Sequence, residues 1–157
     1  MEFRELIASR RDIRKYKPDP VPREKLLRVL EAARLAPSAN NRQPYRFIVV
    51  TDPELRRRIA TEACHQDFLA EPPVLIVAAC EEGKEFDTAI ALAYLTLAAT
   101  DEGLATCWVG WFEREKVRQI LGLPERLALP ILVPLGYAAE SPPARPRKSL
   151  EELVEWR

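Results

Sequence analysis

Four segments of the 157-residue chain concentrate side chains that can bind a charged or hydrogen-bonding ligand. Residues 9–16 (SRRDIRKY) place four cations around one isoleucine, and residues 145–148 (RPRK) add three more on a proline-stiffened backbone. Guanidinium groups favour phosphate and carboxylate. Residues 36–44 (APSANNRQP) form an amide-rich segment bounded by proline, and residues 108–111 (WVGW) place a glycine among aromatic side chains. Amides suit a ligand edge that carries donors and acceptors together.

Each segment also has an ordinary structural explanation. Runs of Arg and Lys are commonly solvated faces, and an Asn-rich loop after a helix is commonly turn chemistry. A glycine beside tryptophans is often a packing or turn residue, and a cationic tail often only aids solubility. Arg56–Arg58 is interpreted in this ordinary way, because the run lies within a predicted helix and no other feature points to it.

The chain offers few groups for covalent or acid–base catalysis. His65 is its only histidine, so a Ser-His-Asp or Cys-His arrangement has one possible base and no surrounding motif. Neither GxGxxG nor GxxxxGK[ST] occurs. Cys64, Cys80 and Cys107 are an odd number without a CxxC pair, which argues against a disulfide framework or a zinc site. We therefore predict no catalytic side chain and no metal ligand, and expect any reactive group to come from a cofactor.

Composition narrows the class of protein. Twenty-four Lys and Arg balance 24 Asp and Glu, whereas proteins that grip nucleic acid or anionic membranes need surplus cations. An arginine-rich nucleic-acid binder is therefore disfavoured. The longest apolar stretch, Thr88–Ala99, is shorter than the ~20 residues that a membrane span needs, and the charged N-terminus lacks the apolar run of a signal peptide. We expect one domain spanning residues 1–157, in the cytoplasm, without a membrane or nucleic-acid partner.

Periodicity and capping residues predict the elements that position these segments. Asp52 and Asp87 are predicted N-caps, Gly103 and Gly122 are predicted helix ends, and Pro22 is a predicted first helical residue. Predicted helices cover residues 2–9, 22–36, 53–63, 88–102, 113–121 and 150–156. Predicted strands cover residues 47–50, 74–79, 106–109 and 131–135. Alternating helices and strands indicate an α/β or α+β class, with helices packed on a small sheet.

The helix predicted from Thr88 is apolar on nearly every face. Such a helix must be covered all round. Two interpretations remain open: it is a central core helix covered by its own chain, or a second subunit covers one side across a twofold axis.

Five sequence blocks together resemble the nitroreductase family along nearly the whole chain. In order they are RRDIRKY, APSANNRQPYRFIVV, DTAIALAYLTLAATDEGLATCWVGWF, PLGYAAE and RKSLEEL. The resemblance implies an α+β fold, with a small mixed sheet packed with helices. It also implies an intertwined homodimer with a central apolar interface helix, and tightly bound FMN between the subunits.

The resemblance also implies roles for individual residues. Arg10 and Arg11, in the same segment as Asp12, begin the FMN phosphate site, and Arg147 with Arg145 or Lys148 completes it. Arg14 is expected beside flavin N1 and O2, where a cation stabilises the reduced form. The pyrimidine edge is expected to meet amide and loop residues, namely Asn41, Gln66, and Pro37, Ser38 and Ala39 of the partner chain. The backbone N–H of Gly110, or of its neighbour Val109, is the expected donor to flavin N5, and glycine permits close approach.

The implied activity is transfer of hydride from NAD(P)H to flavin N5, then of electrons to a nitroaromatic, quinone or similar small acceptor, in ping-pong order. Two alternatives stay open: a non-catalytic protein that binds or senses FMN, and a specialised member such as a reductive dehalogenase or a flavin-fragmenting enzyme. Specialised members carry lid segments for which residues 83–87 leave little room. Asp67 stands where many members have a lysine that reaches the flavin, and His65 is expected either near the site or on the ordinary surface.

Overall fold

The computed structural model describes residues 2–157, and six α-helices and five strands lie among them. The helices are α1 (Phe3–Ser9), α2 (Arg23–Arg34), α3 (Pro53–Arg58), α4 (Glu85–Asp101), α5 (Arg114–Leu121) and α6 (Leu150–Leu153). The strands are β1 (Tyr45–Val50), β2 (Val74–Glu81), β3 (Ala105–Thr106), β4 (Leu127–Ala128) and β5 (Leu132–Gly136). Short 3-10 turns cover Ala39–Asn41 and Asp67–Ala70, and a π-helical turn, Ile59–Cys64, continues α3.

The strands form one sheet in the order β1-β2-β5-β3, with β4 also paired to β2. All four strand pairings among residues 2–157 are antiparallel. One isolated bridge, between Asp12 and Thr106, is parallel. Helices pack on the sheet rather than alternating with parallel strands. The prediction of an α+β fold with a small sheet is confirmed, but the strand pairings are antiparallel where a mixed sheet was expected.

Strand β2 is central because both of its faces are covered. Side chains alternate between the faces of a strand. Leu75, Val77 and Ala79 accordingly pack with the core beneath α3 and α5, and Val74 and Ile76 pack with the core beneath α2 and α4. An unbroken apolar run is expected for a strand buried on both sides.

Several predicted boundaries differ from the structure. Helix α2 begins one residue later, with Pro22 as its N-cap, and α6 ends at Leu153 rather than Trp156. The predicted strand 106–109 is regular only over Ala105–Thr106, although Val109 still pairs with Leu132 as an isolated bridge. As predicted, Asp52 is the N-cap of α3, and Gly103 and Gly122 follow the ends of α4 and α5 with positive φ.

The prediction that Asp87 is an N-cap is wrong. Helix α4 begins at Glu85 with Lys84 as its N-cap, so Asp87 lies inside the first turn. Its side chain is buried and accepts a hydrogen bond from the backbone N–H of Ala39. The Asp87 carboxylate therefore accepts from a loop 48 positions earlier in the chain and not from the first N–H groups of α4.

Helix α4 is covered on one side by its own chain. A buried stripe that includes Ala91, Leu92, Leu95 and Ala99 packs in the core beneath α2. The opposite side leaves Tyr94 44% exposed, and Phe86 in the first turn is 80% exposed. Between residues 2 and 157, no helix has both the length and the apolar character of a membrane span.

Candidate functional site

Arginines from both ends of the chain converge on one cavity of about 480 Å³, which we call the arginine cradle. Its lining includes the predicted residues Arg10, Arg11, Asp12, Arg14, Arg145 and Arg147. The rest of the wall consists of Ile7, Ala8, Glu140 and residues 142–144. The structure thus brings six of the predicted site residues together from segments about 130 positions apart.

The N-terminal side of the cradle is fixed to helix α1 and strand β3. The Arg11 guanidinium donates to the backbone oxygens of Ala8, at 2.6 Å, and Arg10, at 2.9 Å, at the C-terminal end of α1. A cation is favoured there, because the last carbonyls of a helix lack partners within the helix. Buried Ile13 donates its N–H to the oxygen of Thr106 in β3 at 3.0 Å, which fixes the direction of the whole segment.

The C-terminal side is tied directly to the N-terminal side. Backbone hydrogen bonds join Lys17 to Tyr137 and Ala139 to Lys15, so residues 137–139 run beside residues 15–17. The carboxylate of Glu140 then accepts from the N–H groups of Arg14, at 2.6 Å, and Lys15, at 3.1 Å. The tail that carries Arg145 and Arg147 therefore leaves from a fixed point beside Arg14.

The cradle is strongly cationic although the chain is neutral. Five guanidinium groups face the two carboxylates of Asp12 and Glu140. Both carboxylates are already engaged, because Arg10 Nη1 lies 3.1 Å from Asp12 Oδ1 and Glu140 accepts from two backbone N–H groups. Cys107 lies beneath this region, where burial raises the pKa of its thiol while Arg14 and Arg10 act in the opposite direction. An excess of fixed positive charge makes this cavity suitable for an anion.

A second cavity of about 310 Å³ shares Arg10 and Asp12 with the cradle and leads towards Trp108 and Leu97. Gly110 follows two residues after Trp108 and is exposed. The Val109 N–H and oxygen are both bonded to Leu132, at 2.9 Å each, so of the two predicted donors only Gly110 lies outside the sheet pairing. A Cβ at Gly110 would meet only Ile131 Cδ1, at 3.4 Å, so packing within the chain does not require glycine there.

Gln66 lies beside this glycine. Its Nε2 donates to the oxygen of Trp111, the residue after Gly110, at 3.3 Å. His65 Nε2 lies 2.9 Å from Glu113 Oε1, and both side chains are more than half exposed. Asp67 is exposed at the start of a 3-10 turn. The segment behind Gln66 is held by buried Arg56, which donates to the oxygens of Ala70 and Pro72.

The predicted amide loop lies apart from the cradle. None of Pro37, Ser38, Ala39 and Asn41 lines the arginine cradle. The loop is held by its own polar groups, with Gln43 N–H donating to Ser38 Oγ at 2.9 Å and Gln43 Nε2 to Asn41 Oδ1 at 3.1 Å. The structure therefore gives two separate clusters, the cradle with its Gly110 side and the amide loop.

Sequence reasoning missed two polar residues that organise these clusters, Glu140 and Asp87. Glu140 stands in the PLGYAAE block, but its partners are backbone N–H groups about 125 positions away, for which the sequence carries no pattern. For Asp87 the sequence predicted only the role of an N-cap. Residues 2–157 contain no group of three or more His, Cys, Asp or Glu side chains placed to hold a metal ion.

The family model described as "Nitroreductase family" matches residues 7–83 and 60–137. A protein named NADH dehydrogenase from Thermus thermophilus is 36% identical, covering 95% of this chain and 93% of its own. The structure of an FMN-dependent nitroreductase from Clostridium difficile R20291 superposes with a TM-score of 0.87 at 30% identity, covering 96% of each chain. Iodotyrosine deiodinase from Thermotoga neapolitana is 26% identical, covering 93% of this chain and 94% of its own.

The comparison with the Thermus protein also shows what this chain lacks. The alignment is 190 residues long, whereas the chain has 157, so the relative contains segments without a counterpart here. The first family match ends at residue 83, within the three-residue connection between β2 and α4. With the fold, the sequence blocks and the family model in agreement, the chain belongs to the nitroreductase family.

Proposed function

We propose that this protein is an FMN-dependent oxidoreductase that takes electrons from NAD(P)H and passes them to a small acceptor such as a nitroaromatic or a quinone. The observation that carries the proposal is the arginine cradle, where two ends of the chain meet around an anion site. Membership of the nitroreductase family supports the same proposal.

The residues of the cradle fit the phosphate of FMN. A phosphate monoester carries close to ~2 negative charges near neutral pH, and five guanidinium groups face two carboxylates in this cavity. In this proposal the phosphate ligands are Arg10, Arg11, Arg145 and Arg147. The two bonds from Arg11 to backbone oxygens use only its Nη1, so its Nη2 and Nε are available to the phosphate. Arg10 would exchange its contact with Asp12 for the phosphate.

The rest of the cofactor would extend from the cradle past Trp108 towards Gly110. In this proposal Arg14 lies near flavin N1 and O2, the Gly110 N–H donates to N5, and Gln66 contacts the polar edge of the ring. Gln66 is suited to that role because its bond to the Trp111 oxygen uses only one of its N–H groups. When bound, FMN supplies the chemistry, accepting hydride from NAD(P)H and passing the electrons on. The polypeptide positions the cofactor and both substrates and needs no general acid or base.

A homodimer completes the proposed site. Helix α4 leaves Tyr94 exposed, and neighbouring α1 exposes Phe3 and Ile7, so the apolar surface of α4 extends across two elements. A second copy that covers this surface would bring its own amide loop to the flavin. This arrangement accounts for the separation of the amide loop from the cradle within one chain.

In this proposal the side that faces the acceptor carries no lid from the connection between β2 and α4. Only residues 82–84 join these two elements, which leaves no room there for an additional segment. Similarity to iodotyrosine deiodinase keeps reductive dehalogenation as a second candidate. The short connection favours an exposed acceptor site with broad substrate selection over a closed specific one.

The proposal is tested by an absorbance spectrum of the purified protein, followed by anaerobic titration with NADH and with NADPH. We expect bound flavin absorbance that bleaches stoichiometrically with one or both nicotinamides and returns on addition of a quinone or a nitroaromatic. A yellow protein that neither nicotinamide bleaches would indicate an FMN-binding protein without turnover. A protein that binds no FMN would refute the proposal altogether.

A further inference from the structure

Asp87 is a buried carboxylate whose role in helix α4 is not capping. It is 8% exposed, and its Oδ1 accepts from the backbone N–H of Ala39 at 3.0 Å. Its position in the first turn of α4 explains why a carboxylate is tolerated there, because the N-terminus of a helix favours negative charge. The side chain thus links the proposed interface helix to the middle of the amide loop, 48 positions earlier.

The amide loop adopts a backbone conformation that needs support. Asn40, Asn41 and Gln43 have φ values of 51°, 54° and 49°, in the left-handed region that non-glycine residues rarely occupy. Such residues persist when surrounding contacts fix them. Hydrogen bonds from Gln43 to Ser38 and Asn41 hold the loop from within. Asp87 holds it from outside, at the residue before the first left-handed position.

The same contacts orient the side chain of Asn41. Its Oδ1 accepts from Gln43 Nε2, which leaves the Asn41 amide N–H groups directed away from Gln43. An N–H donor held in a fixed direction suits the carbonyl oxygens on the pyrimidine edge of a flavin. The loop position, and with it that direction, depends on where Asp87 holds Ala39.

We propose that Asp87 is a positioning residue that fixes residues 37–43 of one subunit against the flavin held by the arginine cradle of the other. This inference rests on the proposed function. Helix α4 then does two things at once: its exposed face meets the partner, and its first turn sets the geometry of the loop that reaches the partner's flavin.

Three variants of the FMN-loaded protein test the role of the carboxylate. In Asp87→Ala the Ala39 N–H loses its acceptor, and we expect FMN affinity to fall by about tenfold or more, as for loss of a hydrogen bond to a charged group. We also expect a shifted flavin midpoint potential, since the contact to the ring changes. Asp87→Asn retains an oxygen acceptor and should restore most of the affinity. Tyr45→Phe is the matched control, because the buried Tyr45 hydroxyl finds no hydrogen-bond partner among residues 2–157.

The outcomes of this series are decisive in both directions. Asp87→Ala that retains wild-type affinity and midpoint potential would overturn the proposal, and so would Asp87→Asn that is as weak as Asp87→Ala. If Asp87→Ala does not fold, as judged by circular dichroism, Asp87→Leu removes the acceptor while nearly keeping the side-chain volume. Weakened FMN binding in Asp87→Leu, with near wild-type binding in Asp87→Asn and Tyr45→Phe, then supports the role of the acceptor, and wild-type binding in Asp87→Leu contradicts it.

A mixed dimer tests whether Asp87 acts on the partner subunit's flavin. Differently tagged Arg10→Ala and Asp87→Ala chains are co-expressed and the heterodimer is isolated. If Asp87 acts across the interface, both changes fall on one site and the other site is intact, so we expect one FMN bound with wild-type affinity per heterodimer. Two weakened sites would mean that Asp87 acts within its own chain. Wild-type protein that binds no FMN would instead refute the proposed function, so the two failures are distinguishable.

Discussion

The carboxylate of Glu140 accepts a 2.6 Å hydrogen bond from the backbone N–H of Arg14, a residue 126 positions earlier in the chain. The same oxygen accepts from the N–H of Lys15 at 3.1 Å. Glu140 therefore joins the two segments that build the arginine cradle. It also places a negative charge in a cavity that we propose for a phosphate, so its two effects on binding have opposite signs.

Substitutions at Glu140 separate these effects. Glu140→Gln retains an oxygen acceptor and removes the charge, so we expect FMN affinity equal to or greater than that of the wild type. Glu140→Ala removes the acceptor as well, so Arg14 and the tail lose their anchor and affinity should fall by about tenfold. Fluorescence titration of flavin-free protein with FMN measures both. Equal affinity for the two variants would contradict the anchoring role.

Arg10 is the cradle residue whose loss should matter most to FMN retention. Arg10→Ala removes a charge-assisted phosphate contact, with an expected loss of about tenfold to a hundredfold in affinity. Remaining FMN should also be lost more readily as salt rises. The control is Arg57→Ala, since Arg57 pairs with Glu54 on the exposed side of α3. The measurement is gel filtration in moderate salt, with the flavin content of each variant determined by absorbance. Equal FMN content in the two variants would argue against this role for Arg10.

The exposed face of α4 predicts the oligomeric state. We expect a dimer at micromolar concentration, and Tyr94→Arg should shift it towards monomer because a charge would be buried without a partner in the interface. Gln119→Arg, on the exposed side of α5, adds the same charge elsewhere and should leave the dimer intact. Light scattering of flavin-loaded protein distinguishes these states. A monomer mass for the wild type would refute the shared site.

Much of the fold follows from local pattern, and the exceptions have long-range causes. The run at β2 is predicted because both of its faces are buried, and Gly122 ends α5 because the left-handed conformation there suits glycine. Strand β4 is two residues long and exists only through its pairing with β2, so no periodicity marks it. The assignment of Asp87 fails for the same reason, since its acceptor is used by a loop 48 positions away.

The cradle was predictable only by comparing blocks with a known family. As a charge pattern, Arg56–Arg58 is as dense as residues 10–14. In the structure, however, Arg57 and Arg58 pair with Glu54 and Glu62, and Arg56 is buried against backbone oxygens. Residues 10–14 meet a cationic tail instead, so in the cradle five guanidinium groups share only the carboxylates of Asp12 and Glu140. Whether an arginine cluster is a solvated face or an anion site therefore depends on the partners that the rest of the chain places beside it, and not on the density of the arginines.

Stability should fall in alkaline solution through Cys64. Burial raises the pKa of this thiol to about 12, whereas in the unfolded chain it titrates near its ordinary value. The neutral thiol is favoured by folding, so its contribution is complete below the unfolded pKa and is lost as the pH rises towards the folded pKa. We expect the free energy of unfolding to fall with a slope of up to ~1.4 kcal/mol per pH unit above about pH 9 from this group.

Denaturant titrations between pH 8 and pH 10.5 measure this slope, with Cys64→Ala as the comparison. The variant will be less stable at neutral pH, because it leaves a small cavity, but its slope should be shallower. Parallel slopes for the two proteins would show that Cys64 does not carry the effect.

The most direct test of the arginine cradle compares FMN with riboflavin, which differ only in the phosphate. Isothermal titration of flavin-free protein should give one FMN per chain and riboflavin affinity at least about a hundredfold weaker, because charge-assisted contacts to the phosphate are absent. Equal affinity for the two flavins, or no binding of FMN, would contradict a phosphate-binding role for these arginines.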